Sequence, residues 1–228
     1  MQIGGFQKMT MLDFPGKIAC TVFTYGCNFR CPFCHNASLV TDAPQFFSEE
    51  EILAYLKKRA GVLDGVCISG GEPLLQKDIF DFIKKVKDLG LLVKLDTNGS
   101  FPDKLKYAID EKLVDYVAMD IKNSKEKYAL TVGVENFDIS PVEKSVDILM
   151  QNKVDFEFRT TLTKELHTKE DIEKIASWIK GAPKYFLQNF ENTGNLIQDG
   201  FTAHEKEVLE DFKNTVCGNF CKMEIRGI

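Results

Sequence analysis

The chain has 228 residues, 44% hydrophobic and 28% charged, which is enough to bury a core without disulfide or metal staples. Its 29 Lys and Arg against 34 Asp and Glu leave a net charge of −5, which speaks against nucleic acid as the main partner. No apolar run approaches a membrane span, and Met1-Gln2-Ile3-Gly4-Gly5 lacks the basic start and apolar stretch of a signal peptide, so a cytoplasmic protein with no membrane partner is expected.

Residues 1–16 are punctuated by Gly and Pro and end in the turn signal Asp13-Phe14-Pro15-Gly16. Lys17 to Tyr25 is rich in β-branched and aromatic residues and reads as the first strand. A cysteine-rich loop follows it. Ser48-Glu49-Glu50-Glu51 is a capping box opening a helix to about Ala60. Gly65 to Ser69 is the second strand and runs into Gly70-Gly71-Glu72-Pro73. Ile79, Phe82, Ile83 and Val86 give the next helix its apolar stripe, and Gly90 stops it.

Leu91 to Leu95 is the third strand, ending in Asp96-Thr97-Asn98-Gly99. A helix from about Asp103 to Lys112 precedes the fourth, Tyr116 to Met119, which leads into Asp120-Ile121-Lys122. Residues 123–139 read as a short helix and a loop. Ser140-Pro141-Val142-Glu143 combines a capping box with proline at the first helical position. Val154 to Thr161 is the fifth strand, Thr168 caps a helix, and Lys184 to Gln188 is the sixth strand. Thr202 and Glu205 form a last capping box, and residues 221–226 suit one more strand. His167 precedes a cap, and His204 is placed in the first turn of the last helix and exposed.

This alternation predicts an α/β fold, a partial (β/α)6 TIM-type barrel with a parallel sheet and outer helices. A single domain over residues 1–228 is expected, with a core of about 17–190 and a C-terminal helix and strand over 202–226. Each polar motif falls just after a predicted strand, and in (β/α) barrels that end carries the active site. The registration therefore gathers distant motifs on one face.

Cys27, Cys31 and Cys34 stand at CxxxCxxC spacing in one loop, able to fold three thiolates around one object. Thiolates are the usual ligands of iron–sulfur clusters, and three of them leave one iron of a 4Fe–4S cluster open to a small molecule. A structural zinc site with His35 as fourth ligand is the plainer alternative, although four ligands would crowd one loop. The odd total of seven cysteines suits a reduced compartment better than a disulfide framework. Cys20 and Cys67 read as core residues, and Cys217 and Cys221 as unassigned thiols.

The other motifs have plain readings too. Gly70-Gly71 and Asn98-Gly99 are turn signals, and Asp96 and Asp120 are candidate helix caps. Lys122 suits a solvated surface, and Arg159 is a candidate partner for Glu157 or another acid. In the functional reading, the glycine pair lets the backbone approach a ligand while Glu72 supplies negative charge.

The CxxxCxxC loop, with Phe33 before its last cysteine and GGEP one β/α unit later, resembles the radical S-adenosylmethionine superfamily over about residues 1–190. Cys34-His35-Asn36, Asp96-Thr97-Asn98-Gly99 and Met119-Asp120-Ile121-Lys122 resemble the glycyl-radical-enzyme activases. Within these the similarity is greatest to activating proteins of anaerobic ribonucleoside-triphosphate reductase. The resemblance implies a 4Fe–4S cluster on Cys27, Cys31 and Cys34, with S-adenosylmethionine on its fourth iron. It implies Phe33 near the adenine and Gly70, Gly71 and Glu72 around the methionine ammonium, with Pro73 shaping the turn. Asn36, Asn98, Lys122 and Arg159 would also face the cofactor, and Asp96, Thr97 and Asp120 match positions that hold a monovalent cation.

A glycyl radical enzyme as substrate and a flavodoxin- or ferredoxin-like electron donor follow from the same resemblance. Two features depart from it. Gln188, Asn189 and Phe190 stand where the pyruvate formate-lyase activating enzyme has a cofactor-contacting histidine, and the layout is longer than in the better-known reductase activases. An activase of a formate-lyase-like enzyme, or a radical enzyme acting on a small molecule, is therefore the alternative.

Overall fold

The six predicted strands become six adjacent parallel strands in the computed structural model, which describes residues 1–41, 46–192 and 194–228. They are β2 (Ala19–Thr24), β3 (Gly65–Gly70), β4 (Leu92–Thr97), β5 (Tyr116–Asp120), β6 (Asp155–Leu162) and β7 (Lys184–Asn189). Two further strands flank them. β1 (Ile3–Thr10) pairs antiparallel with β2, and β8 (Lys222–Arg226) pairs parallel with β7. The order β1 to β8 follows the sequence, and among the described residues β1 and β8 remain the two edges of an open sheet.

Helices α1 (Ser38–Thr41), α2 (Glu49–Arg59), α3 (Ile79–Asp88), α4 (Pro102–Asp110), α5 (Tyr128–Val132), α6 (Ser140–Leu149), α7 (Lys169–Trp178) and α8 (Lys206–Val216) connect the strands. Their apolar stripes meet the outer sheet face. Ile79, Phe82, Ile83 and Val86 of α3 are fully buried in the same core as Val93, Leu95, Val117 and Phe158. At about 1.5–3 kcal/mol for each buried Leu, Ile or Phe, this outer layer stabilises the fold. The inner face is thereby free to carry polar side chains.

Strand alternation then decides which residues turn inward. Cys67 and Ser69 of β3, Lys94 and Asp96 of β4, Asp120 of β5 and Glu157 and Arg159 of β6 share that inner side. Register sets Cys67 beside Lys94 and Asp120 beside Arg159.

Caps divide into two kinds. Ser48 makes the predicted box with Glu51, and Thr168 makes one with Asp171. The box at Ser140 does not form, because the hydroxyl donates instead to Asp138 (2.8 Å) and Ile139 is the cap residue. Thr202 likewise donates to Glu165 through both its N–H and its hydroxyl, and α8 starts after Glu205. The first 16 residues, expected as turns, contain β1, with Ile3 fully buried against the core.

Candidate active site

A cavity of about 410 Å³ opens at the carboxyl ends of the strands. Cys27, Cys31, Cys34, Phe33 and Asn36 line it from the loop after β2, Gly70 and Gly71 from the end of β3, and Asp96, Thr97 and Asn98 from the end of β4. Asp120, Lys122, Arg159 and Gln188 complete the wall from β5, β6 and β7. Parallel pairing brings these six segments to one rim, as the motif registration required.

The cysteine loop is held from three sides. Its Arg30 N–H donates to Val132 O (2.8 Å), and the Phe29 ring packs edge-on against Phe137 (5.2 Å). Pro32 O accepts from Gln198 N–H (2.9 Å). All seven cysteines are unpaired. Burial pushes the thiol of Cys27 up to about 11 and that of Cys31 to about 12, and raises Cys34 as well. Phe29 N–H (3.3 Å) and Asn98 Nδ2 (3.7 Å) donate towards Cys27 Sγ, an arrangement that suits a thiolate.

His35 does not complete a fourth corner. Its ring packs on Phe190 (5.3 Å). Among the described residues, no three His, Cys, Asp or Glu side chains are arranged to hold a single metal ion. The donor set of three unpaired thiols around an open space fits a cluster better than a zinc ion.

The glycine pair has a steric purpose that the motif alone does not show. Gly70 has φ +105°, and a Cβ there would lie 2.5 Å from Thr24 N. A Cβ on Gly71 would lie 2.0 Å from Gly26 O. The turn presses directly on the backbone that begins the cysteine loop, with Gly71 N–H on Thr24 O and Glu72 N–H on Gly26 O (both 2.9 Å). Asn36 Nδ2 donates to Gly70 O (3.0 Å) and closes the junction.

Glu72 corrects an expectation. Its carboxylate is fully buried and does not line the cavity. It accepts from Leu74 N–H (3.0 Å), Thr97 Oγ1 (2.9 Å) and Asn98 N–H (2.7 Å). Burial raises its carboxyl to about 7 against those three bonds. Glu72 therefore braces the end of β3 against the end of β4, while Pro73 starts a buried 3-10 turn.

The charged residues form an alternating chain. Lys94 Nζ meets Asp96 Oδ1, while Asp96 Oδ2 accepts from Ser69 Oγ (3.0 Å) and Arg159 Nη1 (3.3 Å). Arg159 Nε donates to Asp120 Oδ1 (2.9 Å), and Lys122 Nζ to Asp120 Oδ2 (2.9 Å). Burial opposes ionisation of both carboxylates, but Arg159 with Lys94 holds Asp96 below its ordinary value, and Arg159 with Lys122 holds Asp120 well below. The expected cation triad is not assembled, because both carboxylates face side-chain cations and the Thr97 hydroxyl is turned to Glu72. Arg159 binds these two aspartates, not Glu157, and Lys122 is part of the wall instead of a solvated surface.

Against the scan of protein families, residues 21–179 match the model of the Radical SAM superfamily. The chain belongs to the radical SAM superfamily. A Methanocaldococcus jannaschii protein with the provisional name glycyl-radical enzyme activating enzyme is 36% identical over 83% of this chain and 80% of its own length. The pyruvate formate-lyase-activating enzyme of Clostridium pasteurianum is 31% identical over 78% of this chain and 76% of its own. Both place this radical SAM protein among the glycyl-radical-enzyme activating enzymes. The crystal structure of Streptococcus suis SuiB bound to S-adenosylmethionine superimposes with a TM-score of 0.70 at 14% identity, over 89% of this chain and 48% of that one. The chain spans about half of that structure, and the match establishes the partial barrel fold.

Several residues behind the wall of this radical SAM protein belong to no sequence motif. Lys94 was visible as the one cation in the apolar run Leu91 to Leu95, where alternation turns it inward. His167 is 1% exposed, its Nε2–H donating to Lys122 O (2.8 Å) and its Nδ1 accepting from Thr163 N–H (3.1 Å). His204 is half-buried ahead of α8, its backbone paired with the Asn189 side chain. Cys217 and Cys221 are exposed and distant in the fold from the motif, after α8. No helix among the described residues is long and apolar enough to cross a membrane.

Proposed function

We infer that Cys27, Cys31 and Cys34 hold a 4Fe–4S cluster, that S-adenosylmethionine fills the cavity beside it, and that the protein abstracts hydrogen from a glycine of a glycyl radical enzyme. One observation carries this reading. Three unpaired thiols, the Asn36 amide, the Gly70 and Gly71 backbone and the cations of Lys122 and Arg159 surround one space, although they come from four separate segments. When bound and reduced, the cluster supplies the electron that splits the sulfonium into methionine and a 5′-deoxyadenosyl radical able to take hydrogen from a glycine Cα.

The chain's own groups position and shield. Phe33, 3% exposed and edge-on to Phe190 (6.5 Å) and His167 (6.1 Å), gives the nucleoside an apolar wall. The carbonyls of Gly70 and Gly71 suit an ammonium, with Glu72 acting from behind through the turn. Lys122 and Arg159 suit a carboxylate, and Asn98 steadies the Cys27 sulfur. A monovalent cation at Asp96, Thr97 and Asp120 gains no support from this arrangement. The unclosed sheet edge between β1 and β8 suits entry of a polypeptide loop. One continuous sheet supports a single domain, and unpaired cysteines support a reducing, cytoplasmic setting.

Anaerobic ribonucleoside-triphosphate reductase is the first partner to try, on the strength of the motifs at Asn36, Asn98 and Lys122. A formate-lyase-like enzyme is the second, favoured by the Clostridium relative. A flavodoxin- or ferredoxin-like protein would deliver the electron. Anaerobically reconstituted protein, reductant, S-adenosylmethionine and each candidate should give methionine, 5′-deoxyadenosine and a doublet glycyl signal by electron paramagnetic resonance. If neither product forms and metal analysis returns only zinc, the reading fails. A signal with the second candidate alone reassigns the partner.

A further inference from the structure

Beneath the cavity floor lies a cation that the ligand would never touch. Lys94 is 2% exposed and absent from the cavity wall, whereas Lys122 and Arg159 line the wall and keep 17% and 13% of their side chains exposed. Burial alone would drive the Lys94 ammonium towards neutrality, but Asp96 keeps it above its ordinary value. Its other polar neighbour is Cys67 Sγ, at 3.7 Å.

The wall itself has more negative than positive groups. Asp13, Asp96 and Asp120 stand against Lys122 and Arg159. The anionic end of a ligand would enter a surplus of carboxylate, and Arg159 would be spent on its two aspartates. Lys94 alters this from below. It takes Asp96 Oδ1 for itself and leaves only Oδ2 to Ser69 and Arg159. With Lys94 counted, the carboxylates and cations balance.

We propose that Lys94 is a positioning residue for the anionic end of the bound ligand, cancelling Asp96 from beneath so that Arg159 and Lys122 are available to an α-amino-acid carboxylate. This rests on S-adenosylmethionine being the ligand. The ammonium is permanently attached to the floor, so the site needs no dissolved cation to accept that carboxylate. A unit charge removed about 8 Å from another, at an effective dielectric of about 20, changes affinity by roughly 30-fold.

The test is equilibrium binding to the cluster-loaded protein of S-adenosylmethionine and of decarboxylated S-adenosylmethionine, which keeps the amine and the sulfonium. In Lys94→Met the first should weaken roughly 30-fold, and the second, which carries only positive groups, should not weaken. Lys94→Met/Asp96→Asn removes one charge of each sign, restores the balance and should regain most of the lost affinity. Equal losses for both ligands, no loss for either, or a double variant as weak as the single one would each overturn the proposal and leave Lys94 a packing residue. If Lys94→Met does not fold, the double variant decides alone, since near-wild-type affinity is then required of it. A wild-type protein that binds neither ligand would instead refute the assignment of S-adenosylmethionine.

Discussion

Arg159 and Glu157 lie two residues apart on β6 and face the same interior, yet their surroundings are built differently. Arg159 joins Asp96 and Asp120 and still borders open space in the cavity. Glu157 is 1% exposed and fully answered: Arg226 Nη1 (2.9 Å) and Nη2 (3.2 Å) reach its two oxygens, and Tyr116 OH (2.8 Å) adds a third bond. The Arg226 guanidinium also lies 3.5 Å from the centre of the Phe186 ring. None of this second network lines the site cavity. A charged cluster whose partners all come from the chain ties elements together, here the edge strand β8 across β7 to β6. One that keeps cations facing empty volume is prepared for a ligand. Charged residues on one strand thus divide between architecture and chemistry according to what they border.

The largest effect should come from the open network's neighbours. Cys31→Ala shortens a buried side chain of the core by a single sulfur atom. Cluster loading and the glycyl signal should be abolished, while the metal-free protein melts within about 2–4 °C of wild type, the shift expected for about 1 kcal/mol in a chain of this size. A parallel collapse of melting temperature would mean that the loop is structural.

Next comes acid sensitivity at His167, whose Nδ1 accepts from Thr163 N–H only while the ring is neutral; protonation would set two N–H groups against each other. Burial lowers its value to about 4 from the ordinary 6.5. A depressed histidine contributes stability that is present above the unfolded value and lost as pH falls through the folded one. Between pH 6.5 and 4 the wild type should lose about 3 kcal/mol that His167→Asn does not lose. Denaturant melts of both proteins across that range check it, and parallel pH profiles would remove His167 as the cause.

Arg226→Met breaks the second network. The Arg226 side chain is partly solvent-exposed, so the loss should be about 2–3 kcal/mol, below the full cost of stranding a buried charge. Affinity for S-adenosylmethionine should be unchanged. Loss of affinity with intact stability would reverse the division of labour between the two networks.

How much of this was legible depended on whether a residue's partner lay nearby in sequence. The apolar runs of β2 to β7 and the box at Ser48 declare themselves locally, as did the motifs after each strand. β1 was hidden because Gly4 and Gly5 interrupt its pattern, and it exists through pairing with β2. The box at Ser140 failed because Asp138 competes for the same hydroxyl, and the one at Thr202 because Glu165, far away in sequence, captures it. Glu72 was visible as a site residue, but its role as a brace depended on Thr97 and Asn98 arriving from another turn. Lys94 obeyed the alternation rule, and only its contact with Asp96 gave it meaning.

The smallest predicted effect compares two capping boxes. Ser48 accepts from Glu51 N–H (3.1 Å), and Glu51 returns a bond to Ser48 N–H (3.2 Å), on a helix that packs only on the outer layer. Thr168 forms the same box with Asp171, but Asp171 also takes Ser124 Oγ (3.0 Å) and Lys127 Nζ (2.6 Å). Those bonds fix the segment that follows β5 and carries Lys122. Ser48→Ala and Thr168→Ala should each destabilise by about 1 kcal/mol. Only Thr168→Ala should also weaken S-adenosylmethionine binding, by roughly threefold for a loosened charge-assisted contact. Equal affinities in the two variants would show that the Asp171 network holds the helix without positioning Lys122, and the cavity's precision would then rest on His167 and the strand ends alone.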